Sequence, residues 1–110
     1  MRSELELLFE RHIKERDLPK YETEYKFHPV RKWRADFAFP DPHLRLLVEV
    51  EGQEFGGRHT RGKGFIQDAE KYAEAQILGW RVLRIPGTWV HNGTGVQYLE
   101  RLIHTLQEQS

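Results

Sequence analysis

Three acidic residues stand where strand sequences rarely tolerate them. Asp36 interrupts the apolar run 33–39, and Glu49 and Glu51 close the run 44–50. Side chains alternate along a strand, so Glu49 and Glu51 project from one face. If the Pro40-Asp41-Pro42 turn folds the two runs into a hairpin, Asp36 comes alongside Glu49. Carboxylates that converge away from water repel one another and call for a bound cation or for basic side chains. Oxygen ligands without cysteine favour Mg²⁺, Mn²⁺ or Ca²⁺ over zinc. The plainer alternative is a solvated strand end, with the acids paired to Arg34 or Arg45 across the sheet.

Beside these acids lies a glycine-rich, basic, aperiodic stretch from Gly52 to Gly64, expected to be a loop. It carries Arg58, His59, Arg61 and Lys63, and a second basic cluster holds Lys26, Arg31, Lys32 and Arg34. His59, flanked by arginines, can contact phosphate or move a proton; an exposed loop histidine can equally be inert. The other five histidines show no metal-ligand spacing, and His91-Asn92-Gly93 reads as a turn. Seventeen basic residues balance seventeen acidic ones, so the local distribution of charge matters more than its sum. With no cysteine, disulfides, thiol nucleophiles and thiolate zinc sites are excluded. No apolar run approaches the roughly 18 residues of a membrane span, and the first dozen residues lack the pattern of a secretory signal. The 110 residues are expected to form one soluble intracellular domain, 1–110.

The elements that must position the acids follow from periodicity. Ser3-Glu4-Leu5-Glu6 spells a capping box, and Leu5, Leu8, Phe9, His12 and Ile13 recur at helical spacing until Asp17-Leu18-Pro19. Tyr21, Thr23, Tyr25 and Phe27 alternate with charged residues as a first strand. Two further strands follow over 33–39 and 44–50. Phe65, Ala69, Tyr72, Ala73, Gln76 and Ile77 suit a second helix, closed by Gly79 as a left-handed cap. Residues 80–85 form a fourth strand. Thr94-Gly95-Val96-Gln97 spells another capping box ahead of an amphipathic helix through Leu106. Trp33, Trp80 and Tyr72 are most simply core.

Asp36, a hairpin gap, then Glu49-Val50-Glu51 resembles the signature of the PD-(D/E)XK nuclease superfamily. Much of the chain, from about Ser3 to Ile85, is similar to small phage and bacterial endonuclease-like proteins akin to very-short-patch-repair nucleases. The stretches that carry this likeness are Leu18-Pro19, Glu24-Tyr25-Lys26-Phe27-His28-Pro29, Arg31-Lys32-Trp33-Arg34-Ala35-Asp36-Phe37, Glu49-Val50-Glu51-Gly52, Gly57-Arg58-His59-Thr60-Arg61-Gly62-Lys63-Gly64-Phe65, Asp68, Lys71-Tyr72 and Gly79-Trp80-Arg81-Val82-Leu83-Arg84.

The resemblance implies an α/β restriction-endonuclease-like core, αβββαβ with a C-terminal helix, whose mixed four-stranded sheet is flanked by helices. It implies a metal-dependent DNA endonuclease in which Asp36, Glu49 and the Val50 carbonyl hold Mg²⁺ or Mn²⁺. Glu51 stands where the motif has lysine, so the basic group must come from elsewhere: Lys71 first, then Lys63 or His59. Glu6 matches a glutamate that related nucleases place near the metal, although the capping box explains it too. Gln53 and Ala73 replace a Gly and an Asn common in the group. Arg31, Lys32, Arg34, Arg58, Arg61 and Lys63 would hold DNA phosphates. Two alternatives remain, a nuclease fold reduced to a DNA- or protein-binding module and a homodimeric junction resolvase. The expected compartment is the cytoplasm, that of the host if the gene is phage-borne.

Overall fold

The computed structural model describes residues 2–52 and 62–109. The elements run α1 (Glu4–Lys14), β1 (Glu22–Lys26), β2 (Arg34–Phe39), β3 (Leu46–Glu51), α2 (Gly62–Ile77), β4 (Arg81–Pro86), α3 (Gly87–Asn92) and α4 (Thr94–Glu108). The strands lie in chain order in one sheet, the first three antiparallel and β4 parallel to β3. This is the expected mixed four-stranded sheet with a C-terminal helix. The Asp41 carboxylate accepts from the His43 amide at 2.8 Å and the Asp41 carbonyl accepts from Leu44 and Arg45, which closes the β2–β3 hairpin as an Asx turn. A parallel β3–β4 pair needs a crossover, and α2 supplies it.

Both faces of the sheet are covered, which is why β3 reads as a nearly unbroken apolar run. On one face Phe9 and Ile13 of α1, Val90 of α3, and Leu99 and Ile103 of α4 pack on Phe37, Phe39, Leu46, Val48 and Ile85. On the other, Ala75 of α2 meets Ala38, Leu47 and Trp80. Gly79, left-handed at φ 89°, ends α2 as expected, and the Arg45 guanidinium reaches over from the β2–β3 turn to donate to the Gly79 and Leu78 carbonyls while lying over Trp80.

Several sequence expectations change. Helix α2 begins at Gly62, inside the expected loop, and of the residues that marked it Phe65 and Ile77 are 54% and 76% exposed. Of those marking residues Tyr72 alone lies on the inward face, with Lys71 and Ala75, where the helix meets the acidic end of the sheet. A short extra helix, α3, precedes the turn at Gly93. The Thr94 capping box does not form: Gly93, at φ 84°, ends α3 and opens α4 with no side-chain cap. The Thr94 amide donates instead to Asn92 Oδ1 at 2.9 Å. The capping box at Ser3 does form, with both reciprocal bonds to Glu6.

Gly95 marks the closest approach of α4 to the sheet. A Cβ there would sit 2.6 Å from Ile85 Cγ2 and 3.2 Å from Phe9 Cε1. Alanine gains about 1 kcal/mol of helix propensity, yet overpacking a closed core costs about 1–3 kcal/mol. Gly95→Ala is therefore expected to lower the urea midpoint, and a midpoint at or above wild type contradicts the packing.

Candidate active site

The hairpin brings Asp36 and Glu49 side by side at the end of the sheet from which α2 departs. Each strand's backbone holds the other's carboxylate: the Asp36 amide donates to Glu49 Oε2 at 3.0 Å and the Val50 amide to Asp36 Oδ2 at 2.8 Å. Glu49 is the one charged residue among the buried described residues, 6% exposed. Its Oε1 takes the Lys71 ammonium, which also donates to the Arg34 carbonyl at 2.8 Å. Burial, and then the Glu49 charge, push the Asp36 carboxyl up to about 7; Glu6 adds to the push, while the Val50 amide and Lys71 oppose it.

Glu6 therefore acts on Asp36 while serving its helix cap. Its Oε2 is buried, without a hydrogen bond among the described residues, and 3.9 Å from Arg2 Nε. Glu51 faces the same side of the sheet as Glu49 and is paired with Arg84 of β4. Arg84 in turn lies 4.9 Å over the Tyr72 ring, and Glu51 holds the guanidinium firmly protonated. Tyr72 thus borders the acids instead of filling the core, and its hydroxyl is driven upward by burial and by Glu49. Trp80 is core, as expected, while Trp33 is half-buried beneath Arg31, whose guanidinium is 4.0 Å from the ring.

Of the basic residues singled out in the sequence, Arg31 pairs with Glu70 at 3.1 Å, and Lys32 and Arg34 are exposed. Arg58, His59 and Arg61 lie outside the described residues, as does the side chain of Lys63. Neither Arg84 nor Tyr72 was singled out for the site: the parallel register Glu49↔Arg84 places the first, and the second reaches it from α2 beneath the Arg84 guanidinium. The β1–β2 ladder also changes at this level. Glu24 has a left-handed φ of 51° between the pairs Thr23↔Phe37 and Tyr25↔Ala35, opposite Asp36. Such irregularities occur preferentially beside functional sites.

Among the described residues no three His, Asp or Glu side chains form a complete metal-binding group. Mg²⁺ is usually held by only one or two carboxylates and keeps several waters. Two adjacent carboxylates, Glu49 buried and Asp36 half-buried, countered by one ammonium, suit such a cation, and Glu6 adds a carboxylate oxygen without a hydrogen bond among the described residues. The residues present therefore fit a hard divalent ion.

No family model matches this chain. Two uncharacterized proteins of Mycobacterium tuberculosis, from two strains, are 36% identical over 70 residues. That stretch is 62% of this chain and 24% of theirs, so the chain spans about a quarter of the relatives' length. No helix among the described residues is long and apolar enough to cross a membrane. Among solved structures, the catalytic domain of the homing endonuclease I-Bth0305I aligns with a TM-score of 0.69 at 24% identity, covering 96% of this chain and 98% of that one. This chain has the mixed α/β fold of that endonuclease catalytic domain.

Proposed function

We propose that the chain is a divalent-metal-dependent DNA endonuclease that hydrolyses phosphodiester bonds where β2 meets β3. The observation that carries this reading is the Asp36–Glu49 pair, held by two backbone amides and countered by Lys71. The fold shared with an endonuclease catalytic domain and the likeness to the PD-(D/E)XK signature support it.

Asp36, Glu49 and the Val50 carbonyl would hold Mg²⁺ or Mn²⁺. When bound, the ion supplies Lewis-acid polarisation of the phosphoryl oxygen and acidifies a water. The two carboxylates need little reorganisation, since each is already oriented by the other strand's backbone. Lys71, also held by the Arg34 carbonyl, would face the charge that develops on the phosphate. It takes the part of the lysine that Glu51 displaces from the motif. Glu6 would add negative charge beside Asp36, and His59 is assigned to proton transfer. Arg31, Lys32, Arg34, Arg58, Arg61 and Lys63 hold flanking phosphates, which gives salt-dependent, largely sequence-neutral binding.

The test is nicking of supercoiled plasmid. Cleavage is expected with Mg²⁺ or Mn²⁺ and none with EDTA. Undiminished cleavage by both Asp36→Ala and Glu49→Ala ends the assignment. Retention of DNA without cleavage under every divalent ion instead makes the fold a binding module.

A further inference from the structure

Two cations pair with the strand acids of this site, and they differ in exposure. The Lys71 side chain is 17% exposed and is committed to Glu49 and the Arg34 carbonyl. The Arg84 side chain is 49% exposed, and its Glu51 partner is 33% exposed. Parallel pairing of β4 with β3 sets Arg84 level with Glu49, on the sheet face toward α2. The Tyr72 ring supports the guanidinium from below. This cation is thus preplaced at the rim of the carboxylate pair, open to solvent, and charged at every working pH.

We propose that Arg84 is a substrate-positioning residue that binds a DNA phosphate, and that Glu51 occupies its guanidinium until DNA arrives. The proposal rests on the nuclease reading of the site and names the group that receives the substrate there. A polyanion approaching Asp36, Glu49 and Glu51 meets repulsion, so a rim cation is needed to seat the backbone. Carboxylate and phosphate both match the planar fork of arginine, and one can replace the other. An ion pair this exposed is weak enough to exchange. Glu51, at the position of the motif lysine, then makes DNA binding compete with an internal partner.

The experiment measures anisotropy of a labelled duplex in EDTA over a salt series, with plasmid cleavage in Mg²⁺ run in parallel. Arg84→Gln is expected to bind about fivefold more weakly and to reduce the slope of log Kd against log salt by about 0.9, one phosphate contact. Arg84→Lys keeps the charge and the slope. Glu51→Gln is expected to bind about threefold more tightly, with no tightening when Arg84 is already Gln. Unchanged slope in Arg84→Gln overturns the proposal. So does tightening by Glu51→Gln that persists without Arg84, since general charge repulsion then explains it. If Arg84→Gln does not fold, Arg84→Lys decides: binding about threefold weaker at an unchanged slope is expected once the planar fork is lost, and wild-type affinity overturns the proposal. Wild type that binds DNA with the expected variant pattern but never cleaves removes the nuclease reading alone; wild type that cleaves while the variants bind like it removes this proposal alone.

Discussion

Asp36→Asn is expected to cleave DNA at least about a thousandfold more slowly than wild type, yet to be the more stable protein without metal. On the proposed mechanism, loss of a metal ligand would remove several kcal/mol of charge stabilisation in the transition state, and each 1.36 kcal/mol is about tenfold in rate. Asparagine keeps an oxygen for the Val50 amide, so the strand end stays closed. The stability gain follows from the carboxyl's position near pH 7, well above its unfolded value of 3.8. Between those two values the folded state binds the proton and the unfolded state does not. Wild-type stability in EDTA is therefore fully present below about pH 4 and falls as pH rises toward 7, by a few kcal/mol at most. Asp36→Asn has no such fall from this position. Thermal melts in EDTA across pH 4–8 check the point, and parallel profiles for the two proteins contradict it. The same repulsion that weakens the metal-free fold is the attraction a divalent ion meets, a trade of stability for function.

Lys71→Ala carries the second large effect. It leaves Glu49 buried without its counter-ion, and breaking a buried pair costs about 3–5 kcal/mol. Lys71 is partly solvated, so a loss near 3 kcal/mol is expected, roughly a 13 °C lower Tm in EDTA for a domain of this size. Mg²⁺ should return much of it, about 2.7 kcal/mol at a hundredfold excess over its Kd. A Lys71→Ala melt that matches wild type in EDTA would show that the ammonium does not balance Glu49. Cleavage should fall as well, because the charge facing the phosphate is gone.

How far these groups could be found without coordinates depends on the physics that placed them. The adjacency of Asp36 and Glu49 was legible because strand alternation and a Pro-Asp-Pro turn leave few registers for the hairpin. The mixed sheet was legible because a helix stands between the third and fourth strands, and Gly79 because only a left-handed residue closes that helix. The inward face of α2 was legible in part: Lys71 was expected near the acids and Tyr72 on the packed face, whereas Phe65 and Ile77, also expected there, are exposed. Local pattern and global fold disagree where a helix must present a buried charge partner to the sheet in place of an apolar side chain. Helix α3 was missed because six residues with a proline cap give almost no periodic signal. The Glu51–Arg84 pair was invisible because it depends on a parallel register between strands separated by the whole of α2.

Everything turns on whether Asp36 and Glu49 share one ion. Crystals soaked in Mn²⁺ and measured at the manganese edge answer that directly. An anomalous peak about 2.1 Å from oxygens of both side chains, with Lys71 withdrawn from Glu49, is the predicted result. A peak ligated by neither carboxylate, or the Lys71 ammonium still on Glu49 in saturating Mn²⁺, would contradict it.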